Sequence, residues 1–153
     1  MCLLTEDPLQ GGAASNSDHI REALTLKELT GAPILGPEQE ESTFPIPCSG
    51  WLNDSCEEIE GMEVLTLHGS KTRGELAFLI EGKTLITGDL IRSHKGGNFC
   101  LLPDQKLTDK LAAIQSVKRI ADIPGIAAVL PGDGWPIFRQ GSEVLRELAQ
   151  SLE

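Results

Sequence analysis

The sequence predicts an α/β fold in which helices cover a sheet, on three observations. The stretch from Glu63 to Leu90 reads as strand, polar loop, strand, tight turn and strand, and it ends on a carboxylate, Asp89. Leu107, Leu111, Ile114, Val117 and Ile120 recur at three- and four-residue steps, which places an amphipathic helix over about 106–121. An apolar run at 126–130 and a helical pattern after Ser142 then continue the alternation of strand and helix.

Taken in order, residues 1–13 form an irregular start, because Glu6-Asp7-Pro8 and Gly11-Gly12 interrupt any strand begun at Leu3. Ser17 is a candidate N-cap for a helix over 18–29, with Ile20, Ala23, Leu24 and Leu29 as its apolar stripe and Gly31 and Pro33 closing it. Residues 32–35 suit a short strand, and the acidic run 38–41 a solvated loop or helix start. Pro37, Pro45 and Pro47 keep the next segment extended, and Trp51-Leu52 pins it to the core. Strands follow at 63–67, 75–80 and 84–87, with Glu81-Gly82-Lys83 as a turn. Gly96 and Gly97 make 91–98 a bent or mobile loop that carries His94. The last helix presents Val144, Leu145, Leu148 and Leu152 inward.

Composition excludes several functions. A net charge of −10 leaves no basic face for nucleic acid or an anionic membrane. With 4% aromatic residues and no Tyr, stacking platforms for bases are also missing. No apolar run approaches the roughly 20 residues needed to span a bilayer, and a cytoplasmic protein is the expectation. Cys2, Cys48, Cys56 and Cys100 form no C-x-x-C pair, so free thiols are expected rather than a zinc knuckle or redox dithiol. Gly82-Lys83-Thr84 looks like the end of a phosphate-binding loop. Ala77 stands where that loop needs a glycine, however, and a strand follows where it needs a helix.

Four segments together are similar to the metallo-β-lactamase superfamily: Ala14 to His19, ending in Asp-His; Ser70 to Gly74, between strands; Gly88-Asp89, ending a strand; and Pro131 to Gly134. The resemblance covers about residues 14–150 and implies an αββα sandwich. In that family these loops meet at one edge of two packed sheets and hold one or two metal ions, commonly zinc, which activate a water for hydrolysis. The departures follow a pattern. Ala14 and Asn16 stand where the first two histidines of the family motif belong, Lys71 replaces the next, and Asp133 the last. The resemblance therefore implies that the first metal site is lost. It leaves Asp18, His19, Asp89 and Asp133 as ligands of a second, carboxylate-rich site suited to Mn, Fe, Mg or Zn.

Two readings stay open here. In one, a single metal at those four residues activates water, Lys71 and Asp89 act in catalysis, and His94 contacts substrate. In the other, the chain is a non-catalytic binding or structural module in which the Lys71 ammonium stands in for metal and neutralises Asp89, and with it Asp133. The family also has several strands before its first histidine motif, for which 1–13 is too short. The domain at 14–153 is thus expected to lack most of the N-terminal sheet, either as a truncated form or with another copy completing the sheet. The open strand edge and uncovered apolar face lead to the expectation of a homodimer.

Overall fold

The computed structural model describes residues 2, 3, 12–54, 56 and 59–152. Among the described residues, eleven strands and three α-helices follow one another. The strands are β1 (Cys2–Leu3), β2 (Gly12–Ala14), β3 (Ile34–Pro37), β4 (Gly50–Leu52), β5 (Met62–Leu67), β6 (Glu75–Ile80), β7 (Thr84–Ile86), β8 (Ile91–Lys95), β9 (Asn98–Leu101), β10 (Ala128–Leu130) and β11 (Asp133–Gly134). The helices are α1 (Ala23–Thr30), α2 (Lys110–Ala121) and α3 (Gly141–Ser151). They build two four-stranded sheets, ordered β1-β2-β3-β4 and β10-β7-β6-β5, and a small sheet β11-β8-β9.

The second sheet is apolar on both faces, and this makes the layers. Val64, Leu76, Phe78 and Ile86 face the first sheet, where they meet Ala13, Leu35 and Leu52. Leu65, Leu67, Ala77, Leu79 and Leu85 point the other way, onto Ala113, Val117 and Ile120 of α2 and Leu145 and Leu148 of α3. Strands covered on both sides read as continuous apolar runs, which is why β6 shows no alternation in sequence. Each wholly buried side chain such as Phe78, Leu76 or Leu85 contributes roughly 1.5–3 kcal/mol. With α1 outside the first sheet, the order is helix, sheet, sheet, helices: the αββα sandwich. Among the described residues no helix is long and apolar enough to cross a membrane.

Several sequence expectations change. The irregular start contains a buried strand, since Gly12–Ala14 pairs in parallel with Ile34 and Leu35. The Gly-Ala-Ala run has little β propensity of its own, and the pairing comes from its neighbour. The helix expected over 18–29 is broken into a 3-10 turn at Ser17–His19 and α1, with Arg21 at φ +38° between them. Asn16, not Ser17, caps that turn, its Oδ1 accepting the Asp18 N–H at 3.0 Å. The helix expected over 106–121 begins at Lys110, behind an Asp109 cap and a 3-10 turn at Asp104–Lys106. Ser142 is not a cap either: α3 starts at Gly141 after Gln140, and Ser142 is buried. The loop expected at 91–98 is the hairpin β8–β9, with Gly97 (φ +80°) in its turn. Glu40, read as solvated, is 3% exposed because it accepts N–H groups from Ser17 and Gly74. Cys48, Cys56 and Cys100 are free thiols, as expected; the Cys2 side chain lies outside the described residues.

The open edge of β5 is closed by side chains. Thr66 N–H donates to Asp54 Oδ1 at 2.9 Å, Thr66 O accepts from Arg119 at 3.3 Å, and Ser116 Oγ serves both N–H and C=O of His68. Partial burial pushes the Asp54 carboxyl up, but the Thr66 N–H and the Arg119 guanidinium outweigh it and hold the group below its ordinary range. Arg119→Ala is expected to cost about 0.5–1 kcal/mol at neutral pH, because the pair is largely exposed. A depressed carboxylate stabilises above the unfolded pKa, so the cost should vanish as pH falls below about 4. Urea midpoints at pH 7 and pH 3 check this, and an equal cost at both would contradict it.

Candidate functional site

Four loops converge at the edge where β2, β7 and β10 end and where β5 turns into β6. Backbone bonds stitch them together. Leu76 N–H reaches Ser15 O at 2.7 Å, Thr87 N–H reaches Leu130 O at 3.1 Å and Gly132 N–H reaches Gly88 O at 3.2 Å. A Cβ on Gly132 would lie 2.7 Å from His19 Cε1 and 2.9 Å from Gly88 O. Only glycine lets those three segments approach so closely.

His19 sits at the centre, 6% exposed. Its Nε2 lies 3.3 Å from Asp89 Oδ1 and its Nδ1 2.9 Å from Ser15 Oγ. A ring protonated on Nε2 donates to Asp89 and accepts the Ser15 hydroxyl on Nδ1. The hydrogen bond from His19 and the charges of His19 and Lys71 hold the Asp89 carboxyl below its ordinary range, against the effect of its burial. The Lys71 ammonium is bound directly to the Asp18 carboxylate. That hydrogen bond and the charges of Asp18 and Asp89 raise its pKa above the usual lysine value. Under this layer Glu75, wholly buried, accepts Ser70 Oγ at 2.5 Å and Leu90 N–H at 2.9 Å, and so fixes the backbone next to Asp89.

Asp133 belongs to a separate cluster. Arg92 holds it with Nε at 2.7 Å and a terminal nitrogen at 2.5 Å, and His94 Nε2 approaches at 3.5 Å. Parallel pairing of β11 with β8 sets Asp133 opposite Arg92.

The expected residues thus share one edge but divide into pairs. Asp18 goes to Lys71, His19 to Asp89, and Asp133 to Arg92 with His94. Lys71 binds Asp18 directly and acts on Asp89 only through its charge, while Arg92, not Lys71, neutralises Asp133. Sequence reading missed Ser15, Asn16, Glu75 and Arg92. For Arg92 a signal existed: a cation three residues past a strand-ending Asp. For Glu75 there was none, since it reads as the first residue of a strand.

The donor set does not fit a metal ion at either position the resemblance implies. Ala14 has no donor and is wholly buried. The Asn16 Oδ1 is occupied by a backbone N–H, and its buried Nδ2, a donor, has no partner. Asp18 and Asp133 are each matched by a cation. Among the described residues no three His, Cys, Asp or Glu side chains are grouped to hold a metal.

An αββα sandwich with polar loops gathered at one edge defines the class: a hydrolase-type fold carrying ion pairs at that edge. The chain belongs to the metallo-β-lactamase superfamily, whose sequence model matches residues 10–152. Solved structures share the fold. A metallo-β-lactamase from Pontibacter korlensis superposes with TM-score 0.70 at 16% identity, over 94% of this chain and 68% of that one. The FIM-1 enzyme from Pseudomonas aeruginosa, in its mono-zinc form, gives 0.70 at 15% identity over 91% and 65%. A protein solved in a di-iron-bound form gives 0.67 at 20% identity over 88% and 72%. No curated protein sequence matches the chain.

Proposed function

We propose that this chain is a metal-independent binding module on a hydrolase fold, its former catalytic edge locked by ion pairs. The observation that carries the reading is the Lys71 ammonium seated on Asp18, beside the His19–Asp89 pair. A dication about 4 Å from that ammonium would be repelled by roughly 8 kcal/mol at an effective dielectric of 20, twice the value for unit charges. Evicting Lys71 would relieve the repulsion but break its bond to Asp18. The expected single Mn, Fe or Zn ion is therefore disfavoured.

Another catalytic arrangement is also present in outline. Ser15, His19 and Asp89 are bonded in the order of a nucleophilic triad. Ser15 is 0% exposed, however, so its hydroxyl cannot meet a substrate carbonyl. It orients the imidazole instead.

Elemental analysis after purification without chelator tests the proposal. Well under one equivalent of Mn, Fe or Zn is expected, with a thermal midpoint indifferent to EDTA. Stoichiometric metal that disappears in Asp89→Ala would overturn it and restore the one-metal hydrolase.

A further inference from the structure

A pocket of about 470 Å³ opens beside Lys71, between the β5–β6 loop and the segment around 39–43. Its makeup runs against the rest of the molecule. In a chain of net charge −10, this pocket gathers Arg73 and Lys71, the latter paired with Asp18 outside the lining, against a single lining carboxylate, Glu40. That carboxylate is engaged by the N–H groups of Ser17 (3.0 Å) and Gly74 (3.2 Å), and its residue is 3% exposed. Arg73, by contrast, is exposed and has no carboxylate within salt-bridge reach among the described residues. In so acidic a chain, an exposed arginine kept clear of acids is a place where an anion can be held.

Hydroxyl groups complete the lining. Thr108 and Thr43 give theirs to the Ser70 and Glu40 carbonyls, at 2.8 Å and 3.3 Å. The Thr72 Oγ1 has no partner but is cut off from solvent, so it lies behind the lining rather than in it. Ser42 is exposed and its hydroxyl has no partner among the described residues. A guanidinium, an ammonium and the free Ser42 hydroxyl around one polar opening suit a tetrahedral oxyanion, whose acceptor oxygens match a forked arginine.

We infer that this pocket binds the phosphoryl group of a small polar ligand, with Arg73 as the principal contact and Lys71 and Ser42 beside it. The inference rests on the binding-module reading and names its ligand class. The two fail separately: metal uptake would overturn the first, whereas the titration below concerns Arg73, which lies outside the ion-paired cluster.

The probe is inorganic phosphate, titrated into the full chain at constant ionic strength set with chloride and followed by amide chemical shifts. Saturable shifts are expected at residues 17, 39–43, 71–74 and 108. Arg73→Gln should weaken binding about tenfold or more, and Ser42→Ala severalfold, whereas Arg139→Gln, an exposed arginine outside the pocket, should leave it unchanged. Shifts that fail to saturate, that map elsewhere, or that respond equally to Arg73→Gln and Arg139→Gln would overturn the inference.

Discussion

Gly69→Ala is expected to lower the unfolding free energy by about 3–4 kcal/mol, a large fraction of what a domain of this size possesses. Gly69 adopts φ +79°, and a Cβ there would collide with the Asp109 carbonyl oxygen and the Ala113 backbone nitrogen. The left-handed conformation alone costs a non-glycine residue roughly 1–2 kcal/mol. The larger part comes from the collision, because both obstacles are backbone atoms of the start of α2 and cannot rotate away. Thr108 N–H and Asp109 N–H also bond to Gly69 O, at 3.2 and 3.4 Å. Moving α2 would therefore pull on the loop that carries Ser70 and Lys71. Urea unfolding reads the effect, and a variant with the parent midpoint would show that the helix start can shift freely.

Glu75→Ala is expected to cost about 3 kcal/mol. It empties a wholly buried site and leaves the Ser70 hydroxyl and the Leu90 N–H without their acceptor. Glu75→Gln should be far milder, since it keeps the volume and one accepting oxygen. The pair also gives a pH signature. Burial and the nearby Asp89 charge push the Glu75 carboxyl above its ordinary range, against the hydrogen bonds from Ser70, Leu90 and Asp89 N–H. A raised value means that the folded chain keeps a proton which the unfolded chain releases near pH 4.3. That contribution is complete below about pH 4.3 and declines as pH rises through the folded value. Asp89 and Asp54, both depressed, act in the opposite window and lose their contributions only as the pH falls below about 4. The stability of Glu75→Gln relative to the parent should therefore improve between pH 4.5 and pH 8. A difference that stays constant with pH would mean that Glu75 does not titrate in the folded state.

These residues also mark how far the sequence could be read. β5, β6 and β10 were legible because an apolar run bounded by glycine and polar residues admits few other structures. The Asp18-His19 pair, the Ser70 to Gly74 loop, Gly88-Asp89 after β7 and the Pro131 to Gly134 loop kept their order, and four weak motifs in order identified the family. β2 was not legible, since Gly12-Ala13-Ala14 becomes a strand only when Ile34 and Leu35 lie alongside. The break at Arg21 escaped notice because the apolar stripe of 18–29 continues across it.

The sequence by itself determined the sandwich and placed Ala14 and Lys71 at family ligand positions, where alanine offers no donor atom and an ammonium repels a cation wherever the chain puts them. It also determined the acidity of the remaining set. Only the tertiary structure decided the partners: Lys71 with Asp18, Asp89 with His19, Asp133 with Arg92 across 41 residues. Ion pairing depends on a few ångströms of approach between loops, and those distances are set by strand register and by the glycines that let the loops close.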